Sequence, residues 1–187
     1  MNINEFAIKH NNTIKKLVEN LPIEKIVDDI LDSLQKDKKI LICGNGGSAS
    51  DSNHIAAELV GHFESDRKPI AAISLSNNSA NLTSIGNDYG FEFIFSKQVE
   101  AIGRADDVLI AISTSGKSKN IINAINCAIS KKLKVIFISG LGGETIKSEK
   151  VCHIKIESDN TATIQESYMF LLHNIVRYIE KNKNLND

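Results

Sequence analysis

The sequence has 187 residues, of which 42% are hydrophobic and 24% are charged, and its formal net charge is −1 at pH 7. This length suffices for one domain with a buried core. The charge supplies no basic field for nucleic acid. No apolar run reaches the roughly 18 residues of a membrane span, and the polar start MNINEFAIKHNN lacks the apolar run of a signal peptide. We therefore expect a cytoplasmic protein with no membrane or nucleic-acid partner.

The first 36 residues predict two helices, because apolar residues recur at three- and four-residue intervals in NEFAIKHNNTIKKLVENL and IEKIVDDILDSLQKD. Pro22 lies near the start of the second helix, where proline is tolerated. We interpret residues 1–36 as an N-terminal helical hairpin and residues 37–187 as the main domain.

Strands and helices alternate after this hairpin. Five continuous apolar runs predict strands that are covered on both faces, at residues 39–43, 70–75, 107–113, 134–139 and 152–157. Helices are predicted at 48–63, around NNSANLTSIG and EFIFSKQVEAIG, at 118–131, as a short turn near GGETIKSE, and at about 161–183. Strands separated by helices indicate right-handed βαβ units. The predicted fold class is therefore α/β, a doubly wound five-stranded parallel sheet with a long C-terminal helix.

The three cysteines, Cys43, Cys127 and Cys152, have no paired spacing and lie in apolar segments. An odd number of cysteines without a signal sequence is typical of reduced, buried thiols. The sequence therefore predicts neither disulfide bonds nor a cysteine-based zinc cluster.

The loop after the first strand, CGNGGSAS, is rich in glycine and opens a helix. Gly44, Gly46 and Gly47 let the backbone turn tightly and approach a ligand closely. The spacing fits a dinucleotide fingerprint, but the second strand ends in SLSNNSAN, without the acidic residue that would hold a ribose. Nucleotide binding at this loop is therefore disfavoured.

The loop after the third strand, AISTSGKSKN, ends like a Walker A motif, but Ala111 stands where that motif requires its first glycine. Four hydroxyl residues instead surround Gly116 at the start of a helix: Ser113, Thr114, Ser115 and Ser118. Hydroxyls, backbone N–H groups and the positive end of a helix dipole can bind phosphate. One serine there would be an ordinary helix cap, whereas four predict a phosphate site.

Two pairs of polar residues lie on predicted helices. His54 and Glu58 are four residues apart, so they share one face of the helix that follows the glycine loop. Such a pair is also common on a solvated surface. His62 continues this stripe farther from the loop, and we assign it no role. On the last helix, Gln165 and His173 lie roughly on one face beside an apolar stripe, where a histidine is usually a core residue.

Four segments together resemble the sugar isomerase (SIS) superfamily and, within it, the phosphoheptose isomerases: GNGGSASDSNHIAAEL, NDYGF, ISTSGKSKN and IQESYMFLLH. The resemblance implies a flavodoxin-like SIS fold, two additional N-terminal helices, and a homotetramer with active sites between subunits. The helices of residues 1–36 could form a lid on the sheet, but we expect them to pack between subunits of this tetramer. It also implies an aldose–ketose isomerase that converts sedoheptulose 7-phosphate to D-glycero-D-manno-heptose 7-phosphate through an enediol. This reaction is the first step of nucleotide-activated heptose biosynthesis for lipopolysaccharide core or capsule.

The resemblance also implies roles for individual residues. The implied substrate-binding residues are Asn45, Gly46, Gly47, Glu58, Asn87, Asp88, Ser113, Thr114, Ser115, Ser118 and Gln165. The implied catalytic base and acid are Glu58 and His173. One zinc ion per subunit is implied at His54, Glu58, Gln165 and His173. The intervening segments SASDSN and SYMF carry no implied role.

The metal set raises a geometric question. Eight residues of helix span about 12 Å, so Gln165 and His173 must lean toward a shared ion or contribute to it from different subunits. Their nitrogen and oxygen donors, with those of His54 and Glu58, are acceptable zinc ligands.

Three other functions are compatible with these segments. A related SIS tetramer binds the bacterial replication initiator, but it lacks the catalytic carboxylate and histidine that Glu58 and His173 supply here. A sugar-phosphate sensor would usually carry a helix-turn-helix domain, for which residues 1–36 are too few. The third is isomerisation of another phosphosugar, such as arabinose 5-phosphate or a hexulose phosphate. It is disfavoured by the resemblance at the four zinc positions.

Overall fold

The computed structural model describes residues 2–143 and 145–182. The helices in chain order are α1 (Ile3–Glu19), α2 (Ile23–Gln35), α3 (Gly47–Val60), α4 (Ser79–Asp88), α5 (Ser96–Ile102), α6 (Lys119–Ser130) and α7 (Thr161–Glu180). A short 3-10 helix, Phe91–Phe93, lies between α4 and α5. The strands are β1 (Ile40–Cys43), β2 (Ala72–Ser74), β3 (Val108–Ser113), β4 (Lys134–Ser139) and β5 (Val151–Lys155).

The five strands form one sheet in the order β2-β1-β3-β4-β5, and every neighbouring pair is parallel. This is the flavodoxin-like order of a doubly wound sheet, so the predicted fold class is confirmed, including the long C-terminal helix. The strand order reverses between β1 and β3. Ligands of such sheets bind at that point, beyond the carboxyl ends of the strands.

Helices cover both faces of the sheet. Ile40 and Ile42 of β1 face the core formed with α2, α3 and α7, whereas Leu41 and Cys43 face the core formed with α5 and α6. All residues of β1 and β3 are buried, which explains why these strands appear in the sequence as continuous apolar runs. Cys43 is 0% exposed, and burial raises the pKa of its thiol.

Helices α1 and α2 both pack against α7. The proposed boundary at residue 36 and the role of this hairpin in oligomerisation stay predictions. Within the part of the chain that the structure describes, none of the helices is long and apolar enough to cross a membrane.

The predicted helical turn near GGETIKSE is wrong. Residues 145–148 are irregular, and Glu144 lies outside the described residues. Gly142 and Gly143 disfavour a helix, because glycine loses the most backbone entropy on ordering. They pack instead beneath the loop after β3, since a Cβ added at Gly116 would lie 2.2 Å from the Cα of Gly143.

Two helix ends also differ from the predictions. Helix α3 ends at Val60, so residues 61–63 belong to the following loop. The last helix ends at Glu180, and residue 183, its predicted end, lies outside the described residues.

Candidate active site

The loops after β1 and β3 begin side by side, because Cys43 pairs with Ala111 in the sheet. Two reciprocal hydrogen bonds join these loops. The Asn45 amide donates to Asn120 Oδ1 at 2.9 Å, and the Asn120 amide donates to Asn45 Oδ1 at 2.8 Å. Asn120, in the first turn of α6, is only 2% exposed. The first loop and the start of α6 are therefore held together at the switch point.

The predicted phosphate residues form a cluster of hydroxyls. Ser113 is buried, and its hydroxyl lies 3.0 Å from Ser118 Oγ and 3.4 Å from Ser115 Oγ. Thr114 lies between them in the chain and is half-buried. Gly116 has a φ of +66°, which favours glycine and turns the chain back toward α6. The hydroxyls that are predicted to bind phosphate therefore lie together at the start of α6, and phosphate binding itself stays a prediction.

Ser118 occupies the N-cap position of α6 but makes no side-chain capping hydrogen bond. In contrast, Asn78 and Asn160 cap α4 and α7 with their side-chain oxygens. The first N–H groups of a helix have no intrahelical partner. A bound anion could therefore complete the start of α6, where the side chain of Ser118 does not.

Other residues that are predicted to bind substrate lie in two places. Gly46 has a φ of +55°. A Cβ added at Gly47 would lie 2.7 Å from Gln165 Nε2, so glycine at this position lets α7 approach.

Asn87 and Asp88 end α4 and are exposed. The Asn87 amide donates to Asp88 Oδ1 at 2.8 Å. Within residues 2–143 and 145–182, their side chains make no hydrogen bond to the two loops.

Helices α3 and α7 lie side by side and run in the same direction, because Asp51 contacts Tyr168 and His54 contacts His173 farther along. His54 Nε2 lies 3.1 Å from Glu58 Oε1. The rings of His54 and His173 meet edge to face, with centroids 5.2 Å apart. The structure thus brings together three of the four predicted metal ligands, which include both predicted catalytic residues.

His173 is half-buried in this cluster. Burial lowers the pKa of its imidazole, and the neighbouring His54 lowers it further. The neutral ring is therefore favoured near neutral pH, with one nitrogen as donor and the other as acceptor. One face of the ring is stacked on Phe63, with centroids 5.1 Å apart and an interplanar angle of 13°.

Gln165 takes part in a separate network nearer the start of the two helices. Its Nε2 donates to Asp51 Oδ2 at 2.7 Å, and the Tyr168 hydroxyl donates to the same oxygen at 2.5 Å. Ser48 Oγ lies 2.9 Å from the Tyr168 hydroxyl, and burial raises the pKa of this phenol. No role was predicted for Asp51 or Tyr168 from the sequence. The three-residue spacing of Gln165 and Tyr168 was the available signal, because it places both on one helical face.

The residues present fit a zinc ion by the chemistry of their donors, since two imidazoles, a carboxylate and an amide are acceptable ligands. Among the described residues, however, no group of three or more His, Cys, Asp and Glu side chains is arranged to hold a metal. Glu58 is bonded to His54, and Gln165 to Asp51. In the structure these two side chains therefore bond to other residues, and the four-ligand set stays a prediction.

The family model described as SIS domain matches residues 5–140. The phosphoheptose isomerase of Campylobacter concisus is 42% identical over 173 residues, which cover 92% of each chain. Among solved structures, the phosphoheptose isomerase of Neisseria gonorrhoeae superposes with a TM-score of 0.89 at 37% identity. That of Francisella tularensis superposes with a TM-score of 0.91 at 34% identity, and both matches cover 96% of this chain and 97% of the other. The chain belongs to the phosphoheptose isomerase family of SIS-domain proteins.

Proposed function

We propose that this protein converts sedoheptulose 7-phosphate to D-glycero-D-manno-heptose 7-phosphate. The observation that carries the proposal is the cluster of His54, Glu58 and His173 on neighbouring helices, in a chain whose relatives are phosphoheptose isomerases. An aldose–ketose isomerase must move a proton between two carbons, and a carboxylate with an imidazole supplies the base and the acid.

The phosphate end of the substrate is assigned to the hydroxyl cluster at the start of α6. Ser113, Thr114, Ser115 and Ser118 offer hydroxyls there, beside backbone N–H groups and the positive end of the helix dipole. Binding energy from this remote group positions the reacting carbons. Asn45, Gly46, Gly47, Asn87, Asp88 and Gln165 are assigned to the sugar.

The proton transfers are assigned to Glu58 and His173. Glu58 removes a proton from C1 of the open-chain ketose and returns it to C2. His173 gives a proton to the oxygen on C2, and it then takes the proton from the hydroxyl on C1 as the new carbonyl forms. The lowered pKa of His173 supports this assignment, because a neutral imidazole can donate to a carbonyl oxygen and then accept a proton.

We also propose one zinc ion per subunit, with His54, Glu58, Gln165 and His173 as ligands. When bound, zinc would supply Lewis acidity to the oxygens of the enediolate. Metal content and turnover measured before and after chelation test this role. Full turnover by a metal-free preparation would show that the ion is structural or incidental.

The quaternary structure is proposed to be a homotetramer in which α1 and α2 pack between subunits. Ile3, Phe6 and Ile8 of α1 are exposed at 82%, 43% and 60%, which supports burial of this helix in an assembly. Light scattering of a variant that lacks residues 1–30 tests it, and an unchanged tetramer would contradict it. We further propose that the protein is cytoplasmic and that its product supplies heptose for lipopolysaccharide core or capsule.

The central experiment measures conversion of sedoheptulose 7-phosphate by the wild type, Glu58→Gln and His173→Gln. His62→Gln is the matched control, because His62 is an exposed histidine in the loop after α3, four residues beyond Glu58, and has no assigned role. Both test variants should lose about 10²-fold or more in kcat, while the control should keep the wild-type rate. The melting temperature of each variant separates lost chemistry from lost folding, and the amount of bound metal separates it from loss of the proposed zinc ion.

The outcome for the wild type separates the competing functions. An inactive wild type with metal present that still binds sugar phosphate would indicate another phosphosugar as substrate. An inactive wild type that binds no sugar phosphate would favour a non-catalytic role, such as binding of the replication initiator.

A further inference from the structure

The loop that follows α3 is fixed to α7 by a buried ion pair. Arg67 Nε lies 3.1 Å from Glu180 Oε1, and the two side chains are only 1% and 2% exposed. Glu180 also accepts backbone hydrogen bonds from Phe63 at 2.8 Å and Glu64 at 3.0 Å. Burial by itself raises the pKa of Glu180, but these amides and Arg67 outweigh it and lower the pKa overall. The carboxylate therefore stays ionised and holds the loop in one position.

The same arginine caps the end of α3. Arg67 Nη2 donates to the carbonyl oxygen of Glu58 at 2.5 Å, and Nη1 donates to that of Leu59 at 2.8 Å and that of Gly61 at 3.2 Å. The last carbonyl groups of a helix lack intrahelical partners, and a guanidinium can satisfy several of them at once. Arg67 thus connects the backbone of Glu58 to α7 and to the loop that carries Phe63.

This connection determines where Phe63 lies. Its ring is stacked on His173 at 5.1 Å, and the guanidinium carbon of Arg177 lies 5.6 Å from its centroid. Arg177 is in turn paired with Glu64, the next residue of the loop. The imidazole of His173 therefore contacts two rings from the α3 side, Phe63 in a stacked geometry and His54 edge to face.

We propose that Phe63 is a positioning residue that fixes the plane of the His173 imidazole. The proposal rests on the proposed function, because it assumes that His173 acts in the isomerisation. Rotation of an imidazole about its last side-chain torsion is broad, whereas proton transfer to a substrate oxygen requires an aligned ring. A stacked phenyl ring restricts that rotation, and the buried Arg67–Glu180 pair fixes the phenyl ring.

The test compares Phe63→Leu with Phe63→Tyr in the zinc-loaded, full-length protein, using sedoheptulose 7-phosphate. Tyrosine keeps the stacked ring, whereas leucine keeps only apolar bulk. We expect kcat to fall about tenfold in Phe63→Leu, with KM little changed, and Phe63→Tyr to restore most of kcat. Bound zinc is quantified in each variant, because His173 is also a proposed zinc ligand. Phe63→Met is the second non-aromatic variant, should Phe63→Leu not fold. Phe6→Leu, an exposed aromatic site on α1, controls for the general effect of losing a ring.

Each contrary outcome has a distinct meaning. The inference is overturned if Phe63→Leu lowers only the melting temperature and keeps kcat, or if Phe63→Tyr loses as much kcat as Phe63→Leu. His173→Gln, measured in the same assay, separates this failure from that of the proposed function. If His173→Gln keeps turnover, the assigned role of His173 fails and the inference falls with it. If His173→Gln is inactive while Phe63→Leu is fully active, the inference alone is wrong.

Discussion

The amino ends of the parallel strands form one edge of the sheet, the amino edge, and their carboxyl ends form the opposite one, the carboxyl edge. These two edges use polar side chains in opposite ways. At the amino edge, the carboxylate of Asp107 is 1% exposed. It accepts hydrogen bonds from the backbone N–H groups of Lys39 at 3.0 Å and Arg104 at 2.8 Å. It also forms an ion pair with the side chain of Lys39. At the carboxyl edge, Ser113 and Ser118 bond mainly to other hydroxyls, and each hydroxyl has one donor and two acceptor sites. Asp107, whose hydrogen-bonding capacity is used within the protein, holds the strands in register. The serine hydroxyls keep donor and acceptor sites with which they can bind a ligand.

Replacement of Asp107 should produce the largest change, and only in stability. Asp107→Ala leaves Lys39 unpaired and two backbone N–H groups without their acceptor, so the free energy of unfolding should fall by about 3 kcal/mol. Urea denaturation measures this loss. In the folded variant, kcat/KM for sedoheptulose 7-phosphate should equal that of the wild type. Asp28→Ala, at an exposed position on α2, is the control. A large loss of activity in folded Asp107→Ala would show that the two edges are not separable.

The N-termini of α6 and α7 allow a second test of this comparison, because a side chain caps α7 but not α6. Ser118→Ala should raise KM by about tenfold, with little loss of stability, because Ser118 makes no capping hydrogen bond. Asn160→Ala removes the cap of α7, so it should lower the free energy of unfolding by about 1 kcal/mol and leave KM unchanged. Steady-state kinetics and urea denaturation of both variants test the contrast. A stability loss in Ser118→Ala equal to that of Asn160→Ala would assign Ser118 an ordinary capping role.

The smallest effect is expected on stability at acidic pH. It concerns Asp32, which pairs at the amino edge with Lys134, the first residue of β4. Hydrogen bonds from Lys134 and then Lys36 lower the pKa of Asp32 from 3.8 to about 2. A carboxyl whose pKa is lower in the folded state stabilises the fold above its unfolded pKa and loses that contribution as the pH falls. Asp32 should therefore stabilise the protein above about pH 4 and cease to do so near pH 2. In Asp32→Asn, thermal unfolding measured across this range should depend less steeply on pH. An unchanged pH dependence would contradict the assignment.

The sequence predicted those features that depend on local pattern. The strands were recognised because β1 and β3 are buried on both faces, and the hydroxyl cluster because its members are close in the chain. The contact between Gln165 and Asp51 could not be predicted, because it requires α3 and α7 to lie side by side. The proposed role of Phe63 could not be predicted for a related reason. The helical spacing of the sequence continues to residue 63, but α3 ends at Val60, where Arg67 donates to the carbonyl groups of Glu58 and Leu59.

The burial of Cys43 has a practical consequence for chemical labelling. Its protonated, inaccessible thiol ends β1 directly before the glycine loop, whereas Cys127 and Cys152 are partly exposed. Alkylating reagents react with the accessible thiolate, so brief treatment should modify the two outer cysteines and spare Cys43. Modification of Cys43, located by mass spectrometry, would then report the opening of β1 at the switch point without any engineered probe.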